Sequence, residues 1–150
     1  MNKSRRTFLR KAVALSVGAI ILPSTVMAEK PVAAFQAESV DNSLENLFKG
    51  AQIEESDKIT IKAPDIAENG KVVPIEITAD LAKVESITVL AEKNPMPLVA
   101  KFNFASNRKG WLKTRIKMGR TGNVIAVVKA DGKLYKASQE VKITVGGCGG

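Results

Sequence analysis

The chain has 150 residues, 45% hydrophobic and 25% charged, a globular composition that suits one domain with a substantial core and is too short for two. Lysine and arginine number 23 against 15 acids, but five cations (Lys3, Arg5, Arg6, Arg10, Lys11) lie in the first 28 residues, leaving 18 against 15 elsewhere, too small an excess for a nucleic-acid footprint. The absence of histidine and the single cysteine exclude a zinc constellation, Ser-His-Asp or Cys-His catalysis, and an intrachain disulfide.

Residues 1–28 read as an address. Ser4-Arg5-Arg6-Thr7-Phe8-Leu9-Arg10 is a charged opening, residues 12–22 are apolar, and Pro23 and Val26-Met27-Ala28 close the segment. This is the order of a bacterial export signal cleaved after Ala28. The apolar run of 11 residues falls short of the ~20 a spanning helix needs, so no membrane attachment is expected after cleavage. The motif S-R-R-x-F-L-R resembles a twin-arginine signal built on Arg5 and Arg6, with Arg10 in place of the common final lysine. That pathway carries folded proteins to the periplasm, often loaded with a cofactor or partner. No cofactor motif is visible, so a partner subunit is the expected cargo. In an oxidising compartment the single cysteine has no mate in the chain, so it is free, paired between chains, or chemically used.

Residues 29–57 read as an N-terminal arm and one short helix. The helix falls within 39–50: Asn42 or Ser43 caps it, Leu44, Leu47 and Phe48 form its stripe, and Gly50 ends it. It is expected to pack at one edge of the domain. From residue 58 the period changes to two. Ile59 and Ile61 alternate with Lys58, Thr60 and Lys62; Val73, Ile75 and Ile77 with Pro74, Glu76 and Thr78; Ile87 and Val89 with Ser86 and Thr88. Leu98, Ala100, Phe102 and Phe104 oppose Lys101 and Asn103, and Leu112, Ile116 and Met118 oppose Lys113, Arg115 and Lys117. Residues 123–129 are almost continuously apolar, which suits a central strand buried on both faces. Asp131-Gly132 makes a tight hairpin into residues 133–136, and Val141, Ile143 and Val145 form a last strand. Pro74 places its strand at an edge or a bulge. About seven short strands without intervening helices, over residues 58–145, predict an all-β, immunoglobulin-like antiparallel sandwich.

The end, Gly146-Gly147-Cys148-Gly149-Gly150, places four glycines around the one cysteine. Glycine visits many backbone states and packs nothing, so residues 146–150 are expected to form a sterically open, flexible arm. Residues 146–148 carry the sulfur roughly 10 Å beyond the last strand at about 3.5 Å per residue, a geometry for entering another protein's cleft. The terminal carboxylate raises the thiol pKa if it acts at all, and no basic residue adjoins Cys148 in sequence, so activation has to come from a partner.

The terminal K-I-T-V-G-G-C-G-G (residues 142–150) resembles the signature of the SoxY family, the sulfur-carrier subunits of the bacterial thiosulfate-oxidising Sox system. The likeness extends to Ala63-Pro64-Asp65-Ile66-Ala67-Glu68-Asn69-Gly70, Val72-Val73-Pro74, Asn94-Pro95-Met96-Pro97-Leu98 and Thr114-Arg115-Ile116-Lys117-Met118. It implies a non-enzymatic carrier without cofactor or metal, in which Cys148 holds thiosulfate-derived sulfur covalently, first as a cysteine S-thiosulfonate. It also implies a heterodimer with a SoxZ-type sandwich, and service to periplasmic enzymes of the SoxXA, SoxB and SoxCD types. The competing class is a scaffold subunit of an exported complex whose tail only docks. A stand-alone thiol redox enzyme lacks a resolving cysteine and a base. Arg108, Lys109, Lys113, Arg115, Lys117 and Arg120 form a basic cluster, read as a solvated outer face or a docking or anion-guiding surface. Asp65 and Glu68 read as loop residues, and Trp111 as core or interface.

Overall fold

The computed structural model describes residues 31–105 and 109–144. Among these residues two helices precede nine strands: α1 Val32–Gln36, α2 Val40–Phe48, β1 Ile53–Glu55, β2 Ile59–Lys62, β3 Ile66–Ala67, β4 Val73–Ala79, β5 Val84–Ala91, β6 Leu98–Asn103, β7 Gly110–Ile116, β8 Gly122–Ala130 and β9 Lys133–Ile143. One sheet runs β1-β9-β8-β5-β6, with β3 also paired to β9; the other runs β2-β4-β7. The expected all-β sandwich is present.

Most period-two residues turn inward as their alternation requires; Leu98 instead packs beneath the helices, the β5–β6 register shifting between Val89 and Leu90, and Ser86 and Thr88, expected outward, are buried. Ile59, Ile61, Val73, Ile75, Ile77, Leu112 and Ile116 from the three-stranded sheet, with Met118 just beyond it, meet Val84, Ile87, Val89, Val124, Ala126, Val128 and Val141 from the larger one. The apolar run of β8 has a second cause. Val124, Ala126 and Val128 face the other sheet, whereas Val127 packs with Ala34, Leu90, Leu98 and Leu134 beneath the helices. The strand is therefore covered on both faces. The α2 helix lies on this outer face through Val40, Leu44, Leu47 and Phe48, rather than at an edge of the domain.

Several elements depart from the sequence reading. The cap of α2 is Ser39, whose Oγ accepts from Asn42 N at 3.1 Å, while Ser43 Oγ donates to Ser39 O at 2.9 Å. The helix ends on Lys49 and Gly50, both at positive φ (53° and 74°), as a left-handed C-terminal cap requires. Residues 32–36, expected in an arm, form a helix anchored by the fully buried Ala34. The sheet also takes in Ile53–Glu55, ahead of residue 58, because these residues pair in parallel with Leu134–Lys136. The strand carrying Pro74 is the middle one of its sheet. It tolerates proline because β2 ends with Lys62 opposite Glu76, so Pro74 has a strand neighbour on the β7 side alone. Residues 133–136 and 141–143 belong to one 11-residue strand, β9, entered through the Asp131-Gly132 turn with φ 47° and 75°. That sign at both positions is the type I′ requirement.

Candidate functional site: the root of the C-terminal arm

Strand β9 crosses the whole sandwich, roughly 35 Å at about 3.3 Å per residue, and delivers the chain to Thr144. Loops converge where it ends. Lys142 N donates to Asp65 O at 2.9 Å and Thr144 N to Ala67 O at 3.2 Å, while Thr144 Oγ1 donates to Glu68 O at 3.2 Å. On the other side Ile143 N donates to Thr121 Oγ1 at 2.9 Å. The last described residues are thus held between residues 65–68 and Thr121.

Both flanks are braced in turn. Asn69 Oδ1 accepts from Lys71 N at 2.8 Å, and Gly70 O accepts from Met118 N at 2.7 Å. Asn94 reaches across with both ends of its amide: Nδ2 donates to Lys117 O and Oδ1 accepts from Gly119 N, each at 2.8 Å. The segments around residues 66–72, 94–97 and 117–121 therefore form one connected rim around the exit. Ile66, Val72 and Met96 on this rim are 58%, 53% and 54% exposed, a solvent-facing set that the core does not need. Lys71, Lys117, Arg120 and Lys142 are exposed cations in the same segments.

Cys148, Gly146, Gly147, Gly149 and Gly150 lie outside the described residues, as do Arg5, Arg6, the cleavage point after Ala28, and Arg108. Asp65 and Glu68 are loop residues as expected, and they serve the exit through backbone carbonyls. Thr121 and Thr144 escaped the sequence reading, and Asn94 entered it within the family likeness alone, with no role of its own. An isolated Thr or Asn at a strand end carries no periodic signal, and only the folded proximity of distant loops gives these side chains their partners. Lys113 and Arg115 lie on the outer face of β7, with Lys109 just before the strand and Lys117 just after it. Trp111 is 51% exposed and donates from Nε1 to Glu76 Oε1 at 3.1 Å, so it is not core.

Two other features stand apart from the exit. A cleft of about 520 Å³ opens between the end of α2 and the β8–β9 turn, lined by Phe48, Lys49, Lys101, Lys133 and Leu134, at the opposite end of β9. Among the described residues no group of three acidic or cysteine side chains is placed to hold a metal ion, and no helix is long and apolar enough to cross a membrane.

The fold defines an immunoglobulin-like sandwich in which two loops hold the end of β9 at Thr144. The chain belongs to the SoxY family: the family model described as sulfur oxidation protein SoxY matches residues 44–148, a span that includes the exit and reaches Cys148. A solved structure of the sulfur carrier protein SoxY from Chlorobium limicola f thiosulfatophilum is 38% identical, with a TM-score of 0.65 over 73% of this chain and 95% of that one. Superoxide reductase (neelaredoxin) from Ignicoccus hospitalis shares the fold alone, at 15% identity and a TM-score of 0.53 over 61% of this chain and 94% of its own. A search of curated proteins found no match.

Proposed function

We propose that this chain carries sulfur covalently on Cys148 and presents it to partner enzymes in the periplasm. The observation that supports this most is the run of the family match through the braced end of β9 to Cys148. The chemistry asked of the chain is small. The Cys148 thiolate bonds to the outer sulfur of thiosulfate, and closing that S–S bond removes two electrons, which a partner oxidoreductase takes up. The product, a cysteine S-thiosulfonate, keeps one negative charge. Partner enzymes then oxidise or hydrolyse the appended sulfurs.

The division of labour follows from the residues. The sandwich fixes the exit, the glycines on either side of Cys148 leave room for a narrow channel, and the partner supplies the positive groups that lower the thiol pKa and stabilise the adduct. The apolar rim of Ile66, Val72 and Met96 gives a docked enzyme surface to cover. Export as a folded complex through the Arg5-Arg6 signal, with a SoxZ-type subunit as partner, belongs to the same reading.

Replacing Cys148 with Ser tests it. The variant is expected to fold and pair as the wild type does, because serine is nearly isosteric with cysteine, and to lose all thiosulfate-dependent electron transfer in a reconstituted system. Full activity in Cys148→Ser contradicts the carrier role and leaves a docking scaffold.

A further inference from the structure

We propose that the free edge of β7 receives an added strand from an acidic partner subunit. This rests on the reading above that the chain works as a paired subunit, and it assigns the surface through which it pairs.

Among the described residues, strand β7 is paired on one side only. All seven of its residues pair with Val73–Ala79 of β4, and no described strand pairs with the other side. The remaining edges are poorer templates: β1 and β2 have three and four residues, and the six-residue β6 lies beside α1. An open edge of seven residues is long enough to recruit another strand.

The side chains beside this edge select the recruit. Trp111, Lys113 and Arg115 alternate outward on one face, about 7 Å apart at two residues per step, and the exposed Lys117 follows just past the strand's end. The face has an acid in Glu76, which is already engaged with Trp111 at 3.1 Å and Lys113 at 3.8 Å. Among the described residues Arg115, Lys117 and the neighbouring Lys62 have no carboxylate within ion-pair distance. A second copy of this chain is a poor fit, because antiparallel pairing centred on Thr114 sets Lys113 opposite Arg115 twice, and like charges directly opposed destabilise a ladder. A strand with Asp or Glu at alternate positions turns each of these oppositions into an attraction. The row thus blocks self-association and admits a partner of opposite charge. Edge protection by charge does not explain the half-exposed Trp111. An aromatic at the end of a charged row is the residue type that anchors an interface once covered.

The test uses the full mature chain co-expressed with the SoxZ-type subunit. Changing Lys113, Arg115 and Lys117 together to Glu is expected to weaken the complex at least about tenfold, from two cross-strand pairs and the flanking charge of Lys117 turned repulsive. Exchanging the partner's acidic edge residues for Lys is expected to restore it. In the wild-type complex the amides of residues 111–116 should exchange more slowly than in the free chain, and this measurement decides the matter by itself if the triple variant does not fold. A complex that tolerates the reversal, with unchanged exchange in β7, overturns this surface and leaves the carrier reading intact. Failure of the wild-type chain to form any complex contradicts the paired-subunit reading and this proposal with it.

Discussion

Replacing Thr121 with Val isolates one of the contacts that hold the arm root. The substitution keeps the side-chain shape and deletes the oxygen that accepts from Ile143 N at 2.9 Å. The site is solvent-exposed, so water partly replaces the lost acceptor and the net cost sits at the low end for a hydrogen bond, about 0.5–1 kcal/mol. That cost falls on local opening of the last turn of β9. Protection of the Ile143 amide from hydrogen exchange is therefore expected to drop roughly two- to fivefold. The amide of Val127, in the centre of the larger sheet, should change far less, and Thr121→Ser should behave as wild type. The functional counterpart is a slower partner-catalysed loading of Cys148, while the thiol still titrates fully with a small reagent in the free chain. Exchange measured by two-dimensional NMR gives both amides in one experiment. Equal loss of protection at Ile143 and Val127, or none at Ile143, refutes the view that Thr121 holds the exit.

Thr88 is fully buried and its Oγ1 has no hydrogen-bond partner among the described residues, so Thr88→Val should raise stability by about 1 kcal/mol in urea unfolding. Hydrogen bonds from Lys93 and then Asn123 hold the Glu92 carboxyl below its ordinary value near 4.5. A depressed carboxyl stabilises the fold above its unfolded pKa and loses that contribution as pH falls through the folded value. Thermal unfolding between pH 5 and pH 2, about the window of such a titration, should therefore fall less steeply for Glu92→Gln than for the wild type. Changing Arg5 and Arg6 together to Lys should leave the protein in the cytoplasm, as cell fractionation would show.

What was legible in the sequence follows the physics of each element. Ile59 with Ile61, and Val73 with Ile75 and Ile77, announce one-sided strands because one face of each is buried and the other wet. The run at 123–129 announces a central strand because both of its faces are covered, one by the second sheet and one by helices. Asp131-Gly132 names its own turn type. The continuity of β9 was hidden, because Ala137-Ser138-Gln139-Glu140 shows no alternation; backbone pairing with β8 from Lys133 to Val141 holds it in the sheet. The two-residue β3 is too short to carry a period, and its Ile66 faces solvent. Pro74 misled because a middle strand can still have a free flank where its neighbour stops. At the site, the placing of one cysteine among four glycines was legible in the sequence, and these residues lie outside the described ones. The bracing by Asp65, Glu68, Asn94 and Thr121 was not, since it depends on loops brought together by the fold.

Under the proposed function, the Sγ of Cys148 is the atom that carries the sulfur. Intact mass of the mature chain, taken before and after incubation with thiosulfate and the partner oxidoreductase, tests it most directly, followed by peptide mapping of the modified residue. The account predicts an increase equal to one bound thiosulfate, located on Cys148 and removed by reductant. An unmodified Cys148 in protein that still supports thiosulfate oxidation would contradict it.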